Sequence, residues 1–127
     1  SAMVVAESPG QKEDLTGMGL VGKSGQILWD CLSQYGIKRD YPFVENTVKC
    51  RPPKNKLPNI KYAQKCGKLW LEPELDLFKP TVVLSLGGPA ADFFRRGEKV
   101  SDLAGKIYWN ARFSCWDTYC YHPASFI

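Results

Sequence analysis

The chain carries a single histidine and two methionines in 127 residues, and none of its apolar runs approaches the roughly 20 residues that a bilayer crossing needs. A membrane-spanning helix is therefore not expected, and any imidazole chemistry rests on His122. No basic segment followed by an apolar stretch opens the chain, so a secretory signal is not expected either. Internal repeats and low-complexity stretches are missing. So are the phosphate-cradling patterns G-x-x-x-x-G-K-[ST] and G-x-G-x-x-G, which places a small nucleotide-binding domain last among the readings. Five cysteines, an odd number, without a leader argue against a disulfide framework. They point to free thiols or a metal site in a reducing compartment, hence to a cytoplasmic protein.

What is present describes one soluble domain with a single core: 44% apolar and 13% aromatic residues in a length typical of one folding unit. Ser1 and Ala2 ahead of Met3 read as a remnant of cloning, so the domain is expected to run over 3–127. The net charge of +4 is a weak pointer to nucleic acid by itself. Its distribution says more, since acids crowd Glu7 to Asp14 and Glu72 to Asp76 while Lys49 to Lys68 holds Lys and Arg with no acid. On charge alone that tract reads equally as a phosphate track or as a solvated loop and helix face.

Met3 to Glu7 is too short and too continuously apolar for a helix and stops at Pro9-Gly10, which predicts a buried strand. A loop then runs to Lys23. Ile27, Leu28, Cys31, Leu32 and Tyr35 share one helical face, and Gly36 offers a left-handed cap. Phe43 to Val48 reads as a second strand, followed by a loop whose Pro52, Pro53 and Pro58 exclude regular structure. A helix from Asn59 to Lys79, restarted or kinked at Pro73, precedes the strand Thr81 to Leu86, and Pro89 opens a short helix. Lys106 to Trp109 and Arg112 to Cys115 suggest a small hairpin or two edge segments about Asn110-Ala111, with Tyr119 to Tyr121 as a brief last strand. Strands alternating with helices predict right-handed β-α-β units and a parallel sheet covered on both faces. The loop from Glu7 to Gly25 then falls at the carboxyl end of a strand, where α/β sheets bind ligands.

Several blocks occur in a fixed order: Glu7-Ser8-Pro9-Gly10, Glu13-Asp14, Val21-Gly22-Lys23-Ser24-Gly25, Asn46-Thr47-Val48-Lys49-Cys50-Arg51-Pro52-Pro53, Leu86-Gly87 and His122-Pro123. Together they resemble the uracil-DNA glycosylase superfamily, and most nearly its family-four, iron-sulfur type. The resemblance spans nearly the whole chain and implies a three-layer αβα sandwich with a four-stranded, mainly parallel central sheet. It also implies a monofunctional DNA glycosylase that flips a uracil or related base from DNA and hydrolyses its N-glycosidic bond, leaving an abasic site. Such a reaction builds negative charge on the departing ring and positive charge on the sugar, so donors aimed at the ring and an acid near the sugar are the useful groups. By family position His122 and Glu7 are the catalytic candidates. Ala6, Glu7, Ser8, Leu20 and Asn46 would form the base site, Asn46 because a primary amide matches the donor and acceptor on uracil's edge. Ser24, Gly25, Arg51, Asn55, Lys56, Pro123, Ala124 and Ser125 would meet DNA, with Phe126 or Ile127 as an apolar wedge. Taken without the family pattern, His122 reads as a structural strand-end residue, Asn46 as a turn former and Glu7 as a solvated acid.

Among this chain's departures from the family pattern, which include Gly19 for a proline and Ala6 for the motif's first glycine, two bear most on the chemistry. Leu20 replaces the phenylalanine that stacks on uracil, which forfeits about 1 to 3 kcal/mol of stacking. The family's [4Fe-4S] cluster takes four thiolates; Cys50 and Cys66 match two of them, and the Cys-x-x-Cys that supplies the others is missing from this sequence. Unligated thiols and no cofactor are expected, with a cluster as the alternative. The partner implied is DNA, bound by a monomer without an obligate protein partner. The competing reading is a catalytically weak or inactive DNA- or base-binding module on the same scaffold.

Overall fold

β1 (Ala2–Ala6) is buried from Met3 onward, because its neighbours on both edges and layers on both faces leave no side open to water. The computed structural model describes residues 1–57 and 59–126, with only the backbone of Asn55 and Phe126. After β1 come α1 (Gln11–Thr16), α2 (Lys23–Ser33), β2 (Phe43–Asn46), α3 (Ile60–Cys66), α4 (Glu72–Phe78), β3 (Val82–Leu86), α5 (Gly88–Phe94), α6 (Val100–Leu103), β4 (Ile107–Asn110) and β5 (Cys115–Cys120). The sheet order is β2-β1-β3-β5-β4, with the first four strands parallel and β4 antiparallel to β5 at the edge. The expected α/β sandwich with a mainly parallel sheet is therefore present. It has five strands, the fifth being one arm of the hairpin. Ala2 starts β1, and the Ser1 carbonyl accepts a hydrogen bond from Thr81 N at 2.9 Å, so residues 1 and 2 take part in the sheet.

Alternation along the strands divides the core between the two faces. Met3, Val5, Val83 and Cys115 pack with Leu71, Leu75 and Ala90, while Phe93, Phe94 and Phe113 close that side. Val4, Ala6 and Leu86 pack on the other face against Leu20, Leu28 and Trp29. That second layer rests on α2 and the loop before it, and at the β4 edge Trp109 and Trp116 pair edge to face yet remain 53% and 44% exposed.

Four local features differ from the pattern expected of the sequence. The segment before Lys23 contains α1, whose start is held by the Glu13 side chain rather than by apolar periodicity, and none of its residues is buried. Tyr35 lies past the end of α2 and is 77% exposed, because the chain turns there through Gly36 at a φ of 78°. Between α3 and α4 the rod continues through a π-helical turn, Gly67–Leu71, in which Glu72 N reaches back to the Gly67 carbonyl. Pro73 has no N–H and its ring crowds the preceding turn, so widening the ladder before it keeps one continuous rod. At the hairpin the turn occupies residues 111–114: Asn110 Oδ1 accepts from Arg112 N and Phe113 N at 3.1 and 3.2 Å. The last strand is therefore Cys115–Cys120, longer and earlier than expected.

Candidate active site

Three parallel strands deliver the three principal side chains to one edge of the sheet. β1 ends at Ala6 and releases Glu7. β2 is in register with it, Ala6 opposite Asn46, and Thr47 seals the junction: its N–H and Oγ1 both donate to the Ala6 carbonyl at 2.9 Å, while Val48 N donates to the Glu7 carbonyl at 2.8 Å. Thr47 is fully buried, so Asn46 cannot shift against Glu7 without breaking buried hydrogen bonds. β5 brings His122 from the other side, beside the Leu86-Gly87 pair: Leu86 is in register with Cys120, and Gly87 N donates to the Cys120 carbonyl at 3.0 Å. Gly87 adopts a φ of 84°, and a Cβ there would stand 3.0 Å from the His122 Cβ. A side chain at position 87 would meet both a strained backbone and the histidine, which accounts for glycine beside His122.

Ala6, Glu7, Ser8, Leu20, Asn46 and His122 line one cleft of about 550 Å³, a size that suits a small-molecule ring. Ser24 and Ala124 stand on its wall, as do Lys12 and Lys23. Burial raises the Glu7 carboxyl above its ordinary range, and no hydrogen-bond donor meets that carboxyl among the described residues. Burial lowers His122, so the imidazole is neutral near pH 7. Its Nδ1 accepts a hydrogen bond from Ala124 N at 3.0 Å, which leaves the ring's one proton on Nε2 as a donor. The Asn46 amide has no side-chain partner among the described residues and remains available to a ligand's edge.

The cleft is shaped by a buckle that sequence reasoning noticed only as an acidic pair. Glu13 Oε1 accepts from Gly10 N at 3.0 Å and its Oε2 accepts from Val21 N at 3.1 Å, tying the two loops over the strand ends. A Cβ at Gly10 or Gly22 would approach that carboxylate to 2.8 or 3.2 Å, so both glycines make room for it. Thr47 and Glu13 were legible as members of ordered blocks. Their roles depend on partners 41 and 8 residues away and were not.

Other expected residues lie elsewhere. Gly25 is buried, and a Cβ on it would fall 2.0 Å from the Leu20 carbonyl oxygen, so glycine there permits close backbone packing. Pro123 is also buried, in an apolar hollow of about 240 Å³ with Ile27, Cys31 and Cys120. Burial chiefly, and then the nearby Cys31, raise the Cys120 thiol to about 11. Arg51 and Lys56 are exposed on the loop after β2, and Ser125 is exposed past His122. The Asn55 and Phe126 side chains and all of Ile127 lie outside the described residues. Lys49, the first residue of the basic tract, is engaged by acids: its Nζ is 3.2 Å from Glu45 Oε2 and 2.5 Å from Glu74 Oε1.

Cys50 is exposed and Cys66 partly buried. No group of three or more His, Cys, Asp or Glu side chains converges among the described residues. A [4Fe-4S] cluster needs four thiolates, so the residues described here do not by themselves fit one, and no chemical step is routed through it. No described helix is long and apolar enough to cross a membrane.

The family profile of the Uracil DNA glycosylase superfamily matches residues 1–127. Among similar proteins, a type-4 uracil-DNA glycosylase of Pyrobaculum aerophilum is 36% identical over 130 residues, covering 97% of this chain and 66% of that protein. One from Thermotoga maritima is 40% identical over 97 residues, 76% of this chain and 50% of its own length. One from Archaeoglobus fulgidus is 34% identical, covering 95% of this chain and 64% of the relative. The chain thus spans about half to two thirds of the length of these relatives.

Proposed function

Since this chain belongs to the uracil DNA glycosylase superfamily, we propose that it is a monofunctional DNA glycosylase that hydrolyses the N-glycosidic bond of uracil in DNA. The observation that carries this reading is the meeting of Glu7, Asn46 and a neutral His122 in one cleft at the carboxyl ends of parallel strands. A flipped base would enter between the Ala6 to Ser8 backbone and Leu20, with the Asn46 amide reading its edge. As the glycosidic bond breaks, its electrons move to the ring. His122 Nε2–H donates a hydrogen bond to the ring oxygen beside the bond, and a neutral donor stabilises that developing anion without having lost a proton first. Glu7, desolvated and without a donor among the described residues, places negative charge near the sugar cation or takes the proton of the water that attacks it. Lys12 and Lys23 on the rim, with Ser24, supply phosphate contacts around the entrance. The protein acts on DNA as a monomer in the cytoplasm, and Arg51, Lys56, Ala124 and Ser125 extend the same surface.

The test is release of uracil from a single-stranded oligonucleotide, read as alkali-labile breaks. The parent should cut, and His122→Ala should cut at least about 100-fold more slowly, the usual consequence of removing one aimed donor. A parent that yields no breaks at high protein concentration overturns the reading. Leu20, in place of an aromatic ring at the stacking position, favours the second reading, a base- or DNA-binding module; salt-sensitive binding without breaks would establish that one.

A further inference from the structure

Leu20 is held by more of the chain than its own turn requires. Its φ of 54° is left-handed, a region that a leucine does not occupy on its own account. Its carbonyl accepts Trp29 Nε1–H and Arg39 Nη1–H, both at 2.9 Å, and Arg39 Nη2 donates to the preceding Gly19 carbonyl at 3.0 Å. The Arg39 guanidinium lies 5.0 Å from the centre of the Trp29 ring, so the two donors brace one another. Gly25 packs its Cα against the same peptide from beneath. Leu20 is 6% exposed, belongs to the buried cluster of Val4, Ala6, Leu28 and Trp29, and is among the residues that line the cleft.

We propose that Arg39 and Trp29 are positioning residues that fix Leu20 as a rigid wall of the base site, so that a ring is selected by shape where an aromatic residue would select it by stacking. The inference rests on the reading of the cleft as a base site. Leucine has no π-face to reward a ring, and a mobile leucine would have to be ordered anew at each binding event. A clamp applied in the free protein removes that cost beforehand. The planar arginine fork suits the task because two of its N–H groups reach two successive carbonyls, which a lysine ammonium on a flexible stem does not reproduce. A pre-formed wall touches the ring before and during bond breaking alike, so it acts on binding more than on turnover.

The experiment compares the parent with Arg39→Lys, Trp29→Phe, Leu20→Ala and the Arg39→Lys/Leu20→Ala double variant. All are measured below their unfolding midpoints, by KM and kcat for uracil release and by NMR titration with free uracil. Arg39→Lys and Trp29→Phe should each raise KM and the free-uracil Kd about tenfold while kcat changes less than about threefold. In the Leu20→Ala background Arg39→Lys should add less than about twofold, because the side chain it positions is gone. Values within twofold of the parent for both single variants, or an undiminished loss in the Leu20→Ala background, overturn the proposal. A merely structural role would lower the unfolding midpoint and leave KM alone. If the parent binds free uracil but releases none, the hydrolase reading fails and the clamp is judged on Kd. A parent that neither binds nor releases uracil overturns both, and one that releases uracil without binding the free base is judged on KM.

Discussion

Glu7 and Asp117 belong to the same sheet and live under opposite conditions. Asp117 lies within β5, fully buried; its Oδ1 accepts Arg95 Nε and Nη2 at 3.3 Å and its Oδ2 accepts Asn110 Nδ2 at 3.0 Å. Arg95 is seated in turn over the Tyr108 ring, 4.2 Å from its centre. Glu7 stands one residue past the end of β1, desolvated, with no donor on its carboxyl among the described residues. The difference separates scaffold from chemistry: a buried charge surrounded by donors anchors strands, while a half-buried charge kept without them stays reactive and costs stability.

The largest way to sharpen this contrast is Asp117→Ala, which strands Arg95 beside a cavity and should cost about 3 to 5 kcal/mol of unfolding free energy. Urea denaturation measures it; a loss below about 1 kcal/mol would show that the network does not anchor β5. Glu7→Gln should do the reverse, slowing base release at least about 100-fold, or about 2.7 kcal/mol of barrier, while the fold gains stability. The sign follows from linkage. A carboxyl whose folded pKa is raised penalises the native state above that pKa, and the penalty disappears as pH falls through it. The stability gain of Glu7→Gln should therefore be present at pH 7 and vanish in acid; equal or lower stability at pH 7 would contradict the absence of partners on Glu7.

Thr47→Val removes only the Oγ1 bond to the Ala6 carbonyl and should cost about 1 kcal/mol. It should also raise KM more than it lowers kcat, since it loosens Asn46 against Glu7. The smallest effect belongs to His122. Its folded pKa is lowered, so the unfolded chain protonates first, and the native state loses stability as pH falls below the ordinary histidine value toward the lowered one. His122→Asn should flatten that part of the stability curve. An unchanged pH dependence would mean that His122 is no less solvated in the fold than in the unfolded chain.

Much of this was legible in the chain. The apolar runs at Met3 to Glu7 and Thr81 to Leu86 identified central parallel strands, and the ordered blocks, through the family they resemble, pointed to Glu7, Asn46 and His122. The hairpin was misplaced because Asp117, a charge at a core position of β5, interrupts the apolar signal, and its compensation by Arg95 lies 22 residues away. α1 escaped notice for a related reason: it buries nothing, and its start is held by one side chain, so no periodicity announces it. Gly25 and Pro123 fall within blocks expected to meet DNA and are buried, since sequence order does not say which way a backbone faces.

By itself the sequence determined the parallel α/β architecture and the residues gathered at the strand ends, because burial on both faces leaves a local apolar record and strand termini follow from where it stops. The tertiary structure alone decided the charge of His122, through its burial. It also decided that Glu7 meets no donor among the described residues and that Leu20 is clamped in the left-handed region, since both depend on how segments apart in sequence fold together.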